Sequence, residues 1–277
     1  MPMVAYSKID QPEILALLFP PLNSAPTPCP AGAEDISFAI GKDNEVTCRF
    51  YCTDLQAPVL FYYPAANESN ESFDIIAERY GKRGINVFRA QYRVCGENNG
   101  SPSVAAMYAT AEKLFPLAVD WMRSKGYTGA LFVMGESLGS ICAIDTVARN
   151  GEAVKGMIIE SGICGTSSFL QSIGVSEKQA DIAEDEGFDN VQKIEKIKVP
   201  TLIFHGAKDS LVAVAEAENL QAASGARNKQ FFVIPGAEHH NVGKTGGDLF
   251  IQAIKQFTDT VCGVNTWRQK RKSYKRT

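Results

Sequence analysis

The chain has 277 residues, of which 45% are hydrophobic and 21% are charged. This composition is typical of a globular protein and excludes a disordered chain, a collagen-like fibre and a coiled coil. The net charge of −3 gives the whole chain no attraction to nucleic acid or anionic lipid. Seven cysteines at scattered positions are an odd number, which is typical of reduced thiols and predicts a cytoplasmic protein.

The N-terminal region predicts neither a secretory leader nor a membrane span. Its apolar run, residues 14–19, is preceded by Asp10 and Glu13 and not by basic residues. The run is also far shorter than the roughly 20 apolar residues that a spanning helix needs. It predicts a short amphipathic helix that two prolines end. We therefore expect an N-terminal extension, residues 1–32, and no stable membrane association.

The C-terminal residues 266–277 form a basic tail. All six of their charged side chains are lysine or arginine. Such a tail can contact a membrane or nucleic acid, but a solvated tail has the same composition, and we expect the latter.

Between the two ends, short apolar runs alternate with segments of helical period. The runs are apolar at consecutive positions, which is typical of strands covered on both faces. Alternation of such strands with helices predicts a mostly parallel central sheet flanked by helices, an α/β fold. The candidate strands are residues 59–63, 86–90, 131–134, 157–160, 201–204 and 230–234, and the candidate helices are 105–125, 140–149 and 247–261.

Two segments depart from this alternation. Upstream, residues 35–40 and 46–51 predict a hairpin that adds an antiparallel edge to the sheet. Later, residues 166–198 interrupt the alternation with short helical stretches, and we interpret them as a small cap insertion. The sequence therefore predicts one domain, residues 33–265, that carries a short helical cap.

The pentapeptide GESLG at 135–139 matches the pattern G-x-S-x-G, with Ser137 at its centre. It directly follows a candidate strand and precedes a candidate helix, which is the context of a nucleophile elbow. Such a turn strains the serine backbone and lifts the hydroxyl clear of the sheet. The flanking glycines allow close packing, and the N-terminus of the helix is directed at the charge that develops during attack.

This arrangement resembles the α/β-hydrolase superfamily, whose triad follows the chain order serine, acid, histidine. Residues 201–209 are similar to the family's acid loop, a strand followed by a loop that ends in Asp209. Residues 231–241 resemble its last strand and histidine loop. The resemblance covers about residues 33–262 and implies that Asp209 orients His239, which acts as the base for Ser137.

Two of these assignments leave alternatives open. Ungapped alignment to the family's Gly-Ala-x-His pattern selects His239, whereas its frequent His-Asn dipeptide selects His240. Some family members carry the acid at the position of Glu160, although Asp209 is favoured here. His205 precedes the acid in the same loop, and we interpret it as structural.

The resemblance also implies an oxyanion hole made of two backbone N–H groups. One belongs to Leu138, and the other comes from the loop after candidate strand 59–63. Relatives often have a His-Gly pair in this loop, whereas this chain has Tyr63, Pro64 and Ala65. Proline has no N–H, so Ala65 is the expected donor. The hydroxyl of Tyr63 could add a donor at the mouth of the site, but a packing role is favoured.

These residues predict a serine hydrolase that cleaves a carboxylic ester or thioester of a small-molecule acyl substrate through an acyl-enzyme. A peptidase or an acyltransferase would use the same triad, and a non-catalytic binding protein could share the fold. No cofactor or metal is implied: no phosphate-binding glycine motif occurs, and Cys48 and Cys52 lack a second metal-ligating pair. Specificity is expected to depend on the cap, the loop after Tyr63 and the loop near Cys95. The oligomeric state is left open.

Overall fold

A computed structural model describes residues 6–21, 27–42, 44–92 and 102–264 of the chain. Within these ranges, eight strands form one sheet in the order β1-β2-β4-β3-β5-β6-β7-β8. The strands are β1 (Ala33–Ala39), β2 (Glu45–Tyr51), β3 (Val59–Tyr63), β4 (Asn86–Arg89), β5 (Leu131–Glu136), β6 (Gly156–Glu160), β7 (Thr201–Gly206) and β8 (Lys229–Ile234).

The sheet is mostly parallel, as the alternation of strands and helices predicts. β1 and β2 form the expected antiparallel hairpin, and β2 pairs antiparallel to β4. The remaining neighbours, from β4 through β3 to β8, pair in parallel. β5 and β7 each run two residues past the predicted end, because Glu136 and His205 continue the ladder although their runs are no longer apolar. These extra residues lie at the edge of the sheet that carries the candidate catalytic loops.

The helices of the described residues cover both faces of this sheet. They are α1 (Pro12–Leu18), α2 (Asn70–Lys82), α3 (Val104–Ser124), α4 (Leu138–Asn150), α5 (Thr166–Ser172), α6 (Glu177–Ala180), α7 (Asn190–Lys196), α8 (Val214–Ala223) and α9 (Val242–Val261). The predicted helices correspond to α3, α4 and α9. α9 starts earlier than predicted and is interrupted at Gly247, whose φ of 57° is not helical.

Two helices, α2 and α8, did not stand out in the sequence. α2 buries only Phe73, Ala77 and Tyr80, and α8 buries only Ala217 and Leu220. A helix shows a clear apolar stripe in its sequence only when several positions of one face are buried. Both helices therefore depend on the sheet that they cover for their stability.

The buried side chains divide into two clusters, one on each face of the sheet. Strand residues alternate between them, so that Phe61 belongs to one cluster and Leu60 and Tyr62 belong to the other. α2 and α9 cover the face of Tyr62. α1, α3, α4, α8 and the cap helices cover the face of Phe61. Because burial of apolar surface is the main favourable term in folding, these two clusters hold the loops at the strand ends in place.

The cap insertion is present as a series of short helices between β6 and β7. It contains α5, α6, a 3₁₀ turn at Glu184–Glu186 and α7. The Glu184 carboxylate accepts hydrogen bonds from the backbone N–H of Thr166, at 2.7 Å, and from its hydroxyl, at 2.8 Å. This contact fastens the acidic middle of the cap to its first helix.

The described part of the N-terminal extension packs against the rest of the fold. Ile9 is fully buried in the core cluster of α3 and α4. The Asp10 carboxylate accepts a hydrogen bond of 2.7 Å from the N–H of Val104, at the start of α3. Lys8 Nζ lies 2.5 Å from Glu186 Oε2 in the cap. The division of the chain into extension, domain and tail stays a prediction.

Some of the sequence predictions fall on residues that the structure does not describe. The basic tail and the loop that contains Cys95 lie outside the described residues.

Cys48 and the other five cysteines of the described part are free thiols. No helix in that part is long and apolar enough to cross a membrane.

Candidate active site

The candidate site lies where the parallel strands β5 to β8 end. The carboxyl ends of parallel strands meet at one edge of a sheet, which is where α/β folds commonly place their ligands. Ser137 follows β5, Asp209 lies in the loop after β7, and His239 lies in the loop after β8. The structure brings these three residues together, although 102 residues separate Ser137 from His239.

Ser137 occupies a sharp turn between β5 and α4. Its backbone has φ 50° and ψ −121°, a conformation that is costly for a residue with a side chain. The Ser137 N–H donates a 2.9 Å hydrogen bond to the carbonyl of Glu160 on β6. α4 then begins at Leu138. The sequence pattern thus forms the predicted nucleophile elbow.

The two glycines of the elbow are required by close backbone contacts. A Cβ atom on Gly139 would lie 2.2 Å from the carbonyl oxygen of Tyr63 and 2.5 Å from that of Pro64. A Cβ atom on Gly135 would lie 2.5 Å from the carbonyl oxygen of Gly139. No side chain fits at such distances, so the elbow packs directly against the end of β3.

The three polar side chains form one continuous chain of hydrogen bonds. Ser137 Oγ lies 2.7 Å from His239 Nε2, and His239 Nδ1 lies 2.8 Å from Asp209 Oδ2. Because the Asp209 carboxylate only accepts hydrogen bonds, Nδ1 carries the proton and Nε2 faces the serine with its lone pair. Ser137 and His239 are only 5% and 4% exposed, so little water competes for these bonds.

Asp209 is held in its ionised form. Burial by itself would raise its pKa, but hydrogen bonds from His205, from His239 and from the N–H of Val212 outweigh burial and hold the pKa below its usual value. The oxygen Oδ1 also accepts a 3.0 Å bond from the N–H of Leu211. An ionised carboxylate in this position accepts the Nδ1–H of His239 and fixes the orientation of the ring.

Neither alternative from the sequence, His240 as the base or Glu160 as the acid, belongs to this chain of hydrogen bonds in the described contacts. The His240 ring packs edge-on against His239, with centroids 4.5 Å apart, and His240 is exposed. The Glu160 carboxylate instead accepts a 2.9 Å bond from the N–H of Gly243 in the first turn of α9. Burial, together with the neighbouring carboxyl group of Glu136, raises the pKa of Glu160 well above its usual value. A carboxyl group whose ionised form is disfavoured in this way is poorly suited to orient an imidazolium ring.

The loop after β3 lies beside the elbow, as the close contacts of Gly139 require. Ala65 in this loop is 4% exposed, and the N-terminus of α4 starts at Leu138. The Tyr92 hydroxyl donates a 2.7 Å hydrogen bond to the carbonyl of Pro64 and so fixes the loop. Tyr63 is fully buried, and its hydroxyl pairs with Thr146 on α4 at 2.8 Å. Tyr63 therefore packs in the core and contributes no hydroxyl to the mouth of the site.

Three buried carboxyl groups, Glu68, Glu136 and Glu160, lie beneath the elbow; we call them the carboxyl cluster. Glu136 and Glu160 are direct neighbours on β5 and β6, so both side chains project from the same face of the sheet. The Tyr62 hydroxyl donates a 2.5 Å hydrogen bond to Glu136. Arg89 Nε lies 3.6 Å from Glu68 Oε2. One guanidinium group can balance the charge of only one of the three carboxylates, so the cluster has an excess of acidic groups.

This excess of acid affects the protonation of the cluster. Burial raises the pKa of Glu136, with an opposing contribution from its Tyr62 hydrogen bond. Burial and the charge of Glu136 raise the pKa of Glu68 to about 8, against the opposing effect of Arg89. The ionised form of every acid in the cluster is thus disfavoured, and Glu68 retains at neutral pH a proton that it would lose in an unfolded chain.

Two contacts around Ser137, His239 and Asp209 were not predicted from the sequence. The Ser161 hydroxyl donates a 2.9 Å hydrogen bond to the carbonyl of His239 and supports the histidine loop from β6. The ring of His205, which we interpreted as structural, lies 3.2 Å from Asp209 Oδ2. The Ser161 contact joins residues that are 78 positions apart, and the His205 contact forms because the loop after β7 folds back onto the end of that strand, so no local pattern reveals either. Within the described ranges, no cluster of His, Cys, Asp and Glu could hold a metal ion.

Several known proteins are similar to this chain in sequence. A sequence profile of the family described as serine aminopeptidase, S33, matches residues 186–244, which contain Asp209 and His239 but not Ser137. Protein bem46 of Schizosaccharomyces pombe is 25% identical over 209 residues, which are 72% of this chain and 67% of that protein. Alpha/beta hydrolase domain-containing protein 17B of Homo sapiens is 24% identical over 226 residues, 78% of this chain and 72% of that protein.

Solved structures extend the comparison to the fold. An esterase of Pyrococcus furiosus superposes with a TM-score of 0.61 at 16% identity, covering 82% of this chain and 92% of that one. The mostly parallel sheet and this superposition show that the chain has the α/β-hydrolase fold. The fold predicted from the sequence is confirmed.

Replacement of Gly139 tests the close packing of the elbow. The Gly139→Ala side chain would overlap the backbone of Tyr63, so we expect a loss of stability of about 1–3 kcal/mol or more and displacement of the loop after β3. Gly151→Ala is the matched control, since nothing lies within 4 Å of its Cβ position and its φ is −54°. Urea unfolding of both variants measures the difference, and equal stabilities would contradict the packing described here.

The carboxyl cluster predicts a pH dependence of stability. Because the folded pKa of Glu68 is raised to about 8, the folded state keeps a proton that the unfolded chain releases above about 4.5. The contribution of this proton to the free energy of unfolding is fully present below about pH 4.5 and is lost as pH rises towards 8. The loss amounts to up to about 1.4 kcal/mol per pH unit for each retained proton.

The measurement is the melting temperature as a function of pH. In Glu68→Gln we expect a smaller fall than in the wild type between pH 5 and pH 8, a range that lies within the two pKa values given above. Glu78→Gln removes the same charge from an exposed site on α2, where the carboxylate pairs only with Lys82 among the described contacts. That control should retain the wild-type slope, and an unchanged slope in Glu68→Gln would refute the assignment.

Proposed function

We propose that this protein is a serine hydrolase that cleaves a carboxylic ester or thioester through an acyl-enzyme on Ser137. The observation that carries the proposal is the continuous chain of hydrogen bonds from Ser137 Oγ through His239 to Asp209, with distances of 2.7 and 2.8 Å. A serine hydroxyl is a weak nucleophile at its own pKa, and an adjacent base activates it. Here the base is His239, and Asp209 orients it.

In the first half of the reaction, Ser137 Oγ attacks the acyl carbonyl while His239 Nε2 takes the hydroxyl proton. The charge that develops on the carbonyl oxygen is stabilised by the backbone N–H groups of Leu138 and Ala65. The start of α4 adds the favourable end of its helix dipole at the same point. His239 then returns the proton to the departing alcohol or thiol.

In the second half, a water molecule takes the place of the leaving group. His239 removes a proton from this water, which attacks the acyl carbonyl. The bond between the acyl carbon and Ser137 Oγ then breaks, the acid leaves, and His239 returns the proton to Oγ. The ionised Asp209 stabilises the positive charge that the His239 ring carries in both halves. All of these steps use side chains and backbone groups of this chain.

The choice of an ester or thioester as substrate is supported by similarity. The Pyrococcus furiosus structure is described as an esterase. A second candidate, peptide hydrolysis, is favoured by one observation: the profile that matches residues 186–244 carries the description of a serine aminopeptidase. The same acyl-enzyme could also pass its acyl group to an alcohol in place of water. These three activities differ only in the leaving group or the acceptor, so a substrate panel separates them.

Replacement of Ser137 tests the nucleophile. Ser137→Ala should lose labelling by a fluorophosphonate and should lower kcat/KM for an activated ester by at least about 10⁴-fold, because no other group of the site can form the acyl-enzyme. The melting temperature should stay close to that of the wild type, since only one oxygen atom is removed. Intact-mass spectrometry after labelling, together with ester turnover, measures both effects.

Ser176→Ala is the matched control, because Ser176 is an exposed serine of the cap. It should label and turn over as the wild type does. A wild-type protein that forms no adduct and cleaves no ester, thioester or aminoacyl amide would refute the proposed hydrolase and favour a non-catalytic binding protein.

A second pair of variants tests the choice of base. His239→Ala removes the ring that lies 2.7 Å from Ser137 Oγ, so we expect a loss of kcat of about 10³-fold or more. His240→Ala removes an exposed neighbouring ring and should change kcat far less. Steady-state kinetics with one ester gives the comparison, and a larger loss in His240→Ala would transfer the role of base to His240.

A further inference from the structure

The coordination of Asp209 is complete only when His205 is counted. Oδ1 accepts hydrogen bonds from the N–H groups of Leu211, at 3.0 Å, and Val212, at 2.8 Å. Oδ2 accepts the bond from His239 Nδ1 at 2.8 Å, and His205 Nε2 lies 3.2 Å from the same oxygen. An ionised carboxylate has about four acceptor positions, so His205 occupies the fourth.

The tautomer of His205 follows from its surroundings. Its Nε2 lies 2.8 Å from the carbonyl oxygen of Val212 and faces the Asp209 carboxylate as well. Both groups only accept hydrogen bonds, so Nε2 carries a proton that is shared between them, with the shorter contact to Val212. Nδ1 is buried and has no hydrogen-bond partner among the described residues. The donor that His205 offers to its surroundings is therefore Nε2–H alone.

These contacts close a ring around the catalytic acid. His205 holds the carbonyl of Val212, while the N–H of Val212 holds Oδ1 of Asp209. His205 is the next-to-last residue of β7 and is fully buried, with an exposed fraction of 0%. A rigid strand thus fixes both the loop that carries Asp209 and one of its carboxylate oxygens.

We propose that His205 is a positioning residue of the triad, whose Nε2–H holds Asp209 Oδ2 in the orientation that directs it at His239. The inference rests on the proposed function, since it concerns the same triad, and it goes beyond it by assigning a role to a residue outside the triad. Without this donor, Oδ2 keeps only the bond from His239, and the carboxylate can rotate away from the ring. His205 contacts Asp209 and not Ser137 in the described structure, so its effect on catalysis passes through Asp209.

A matched set of variants separates the N–H of His205 from its bulk. His205→Gln places an amide N–H the same number of bonds from the backbone, whereas His205→Met keeps the length of the side chain and removes the donor. Ile203→Val is the control for packing, because Ile203 is a buried residue of the same strand and belongs to the core cluster on one face of β7.

Two measurements are made on each variant of the full-length chain. The first is steady-state kinetics with an activated ester. The second is the low-field proton resonance of His239 Nδ1–H in protein labelled with ¹⁵N-histidine, which reports the bond to Asp209 whether or not the protein turns over a substrate. We expect His205→Met to lose this resonance and to lower kcat by about 10- to 100-fold with little change in KM. His205→Gln should restore both readouts, and Ile203→Val should match the wild type.

Other results would overturn the inference. If His205→Met behaves like Ile203→Val in both readouts, or if His205→Gln is as impaired as His205→Met, the N–H has no positioning role. Absence of the resonance from the wild type together with absence of turnover would mean that the triad is not assembled, which also overturns it. If His205→Met does not fold, His205→Asn takes its place, because its shorter amide cannot reach Asp209, and the same losses are expected.

The same measurements keep this inference distinct from the proposed function. A wild type that shows the resonance but neither labels with fluorophosphonate nor cleaves any acyl substrate would contradict the serine hydrolase. In that case, the loss or retention of the His239 Nδ1–H resonance in His205→Met would still decide whether His205 positions Asp209. Conversely, an active enzyme whose resonance and kcat are insensitive to His205→Met would retain the proposed function and lose the inference.

Discussion

The direct contact between the elbow and the end of β3 is the constraint on which the site depends. Because Gly139 has no side chain, the start of α4 packs against the carbonyl oxygens of Tyr63 and Pro64. That approach puts the N-terminus of α4 and the loop containing Ala65 on the same side of Ser137. Ser137 and the backbone N–H groups proposed to stabilise the oxyanion are thus fixed by one backbone contact. The strained backbone of Ser137 is tolerated because the strands and helix on either side are packed in the core.

Around this contact, residues at the strand ends hold Ser137, His239 and Asp209. The carbonyl of Glu160 on β6 accepts the N–H of Ser137, and the next residue, Ser161, holds the carbonyl of His239. β7 supplies His205 against Asp209. The parallel sheet brings these groups together because its strands end at one edge. The hydrogen bonds between strands therefore determine the geometry of the site as much as the triad residues themselves.

The carboxyl cluster is the least expected part of this arrangement. Glu136 directly precedes Ser137, and its strand neighbour Glu160 accepts a hydrogen bond from Gly243 at the start of α9. Buried acids beside a single guanidinium group keep protons at neutral pH, and their ionisation disfavours the folded state. The cluster thus couples the protonation of the protein to the stability of the segments that hold Ser137 and His239. Asp209, which is surrounded by donors, has the opposite environment and remains ionised.

The sequence by itself determined the strand order along the chain, the elbow, and the candidates Ser137, Asp209 and His239. Each of these leaves a local pattern: a run of apolar residues, a five-residue turn, or a polar residue just after a strand. It left His239 and His240 open, and it gave no role to Ser161 or to the contact between His205 and Asp209. The helices α2 and α8, which bury few side chains, were also missed. Only the tertiary structure placed the ring of His239, and not that of His240, against Ser137 Oγ, and only it showed the other contacts. The reason is physical: Ser161 meets His239 across strands that are distant in the chain, His205 meets Asp209 because a loop folds back on its own strand, and α2 and α8 pack on a sheet that the whole chain must build.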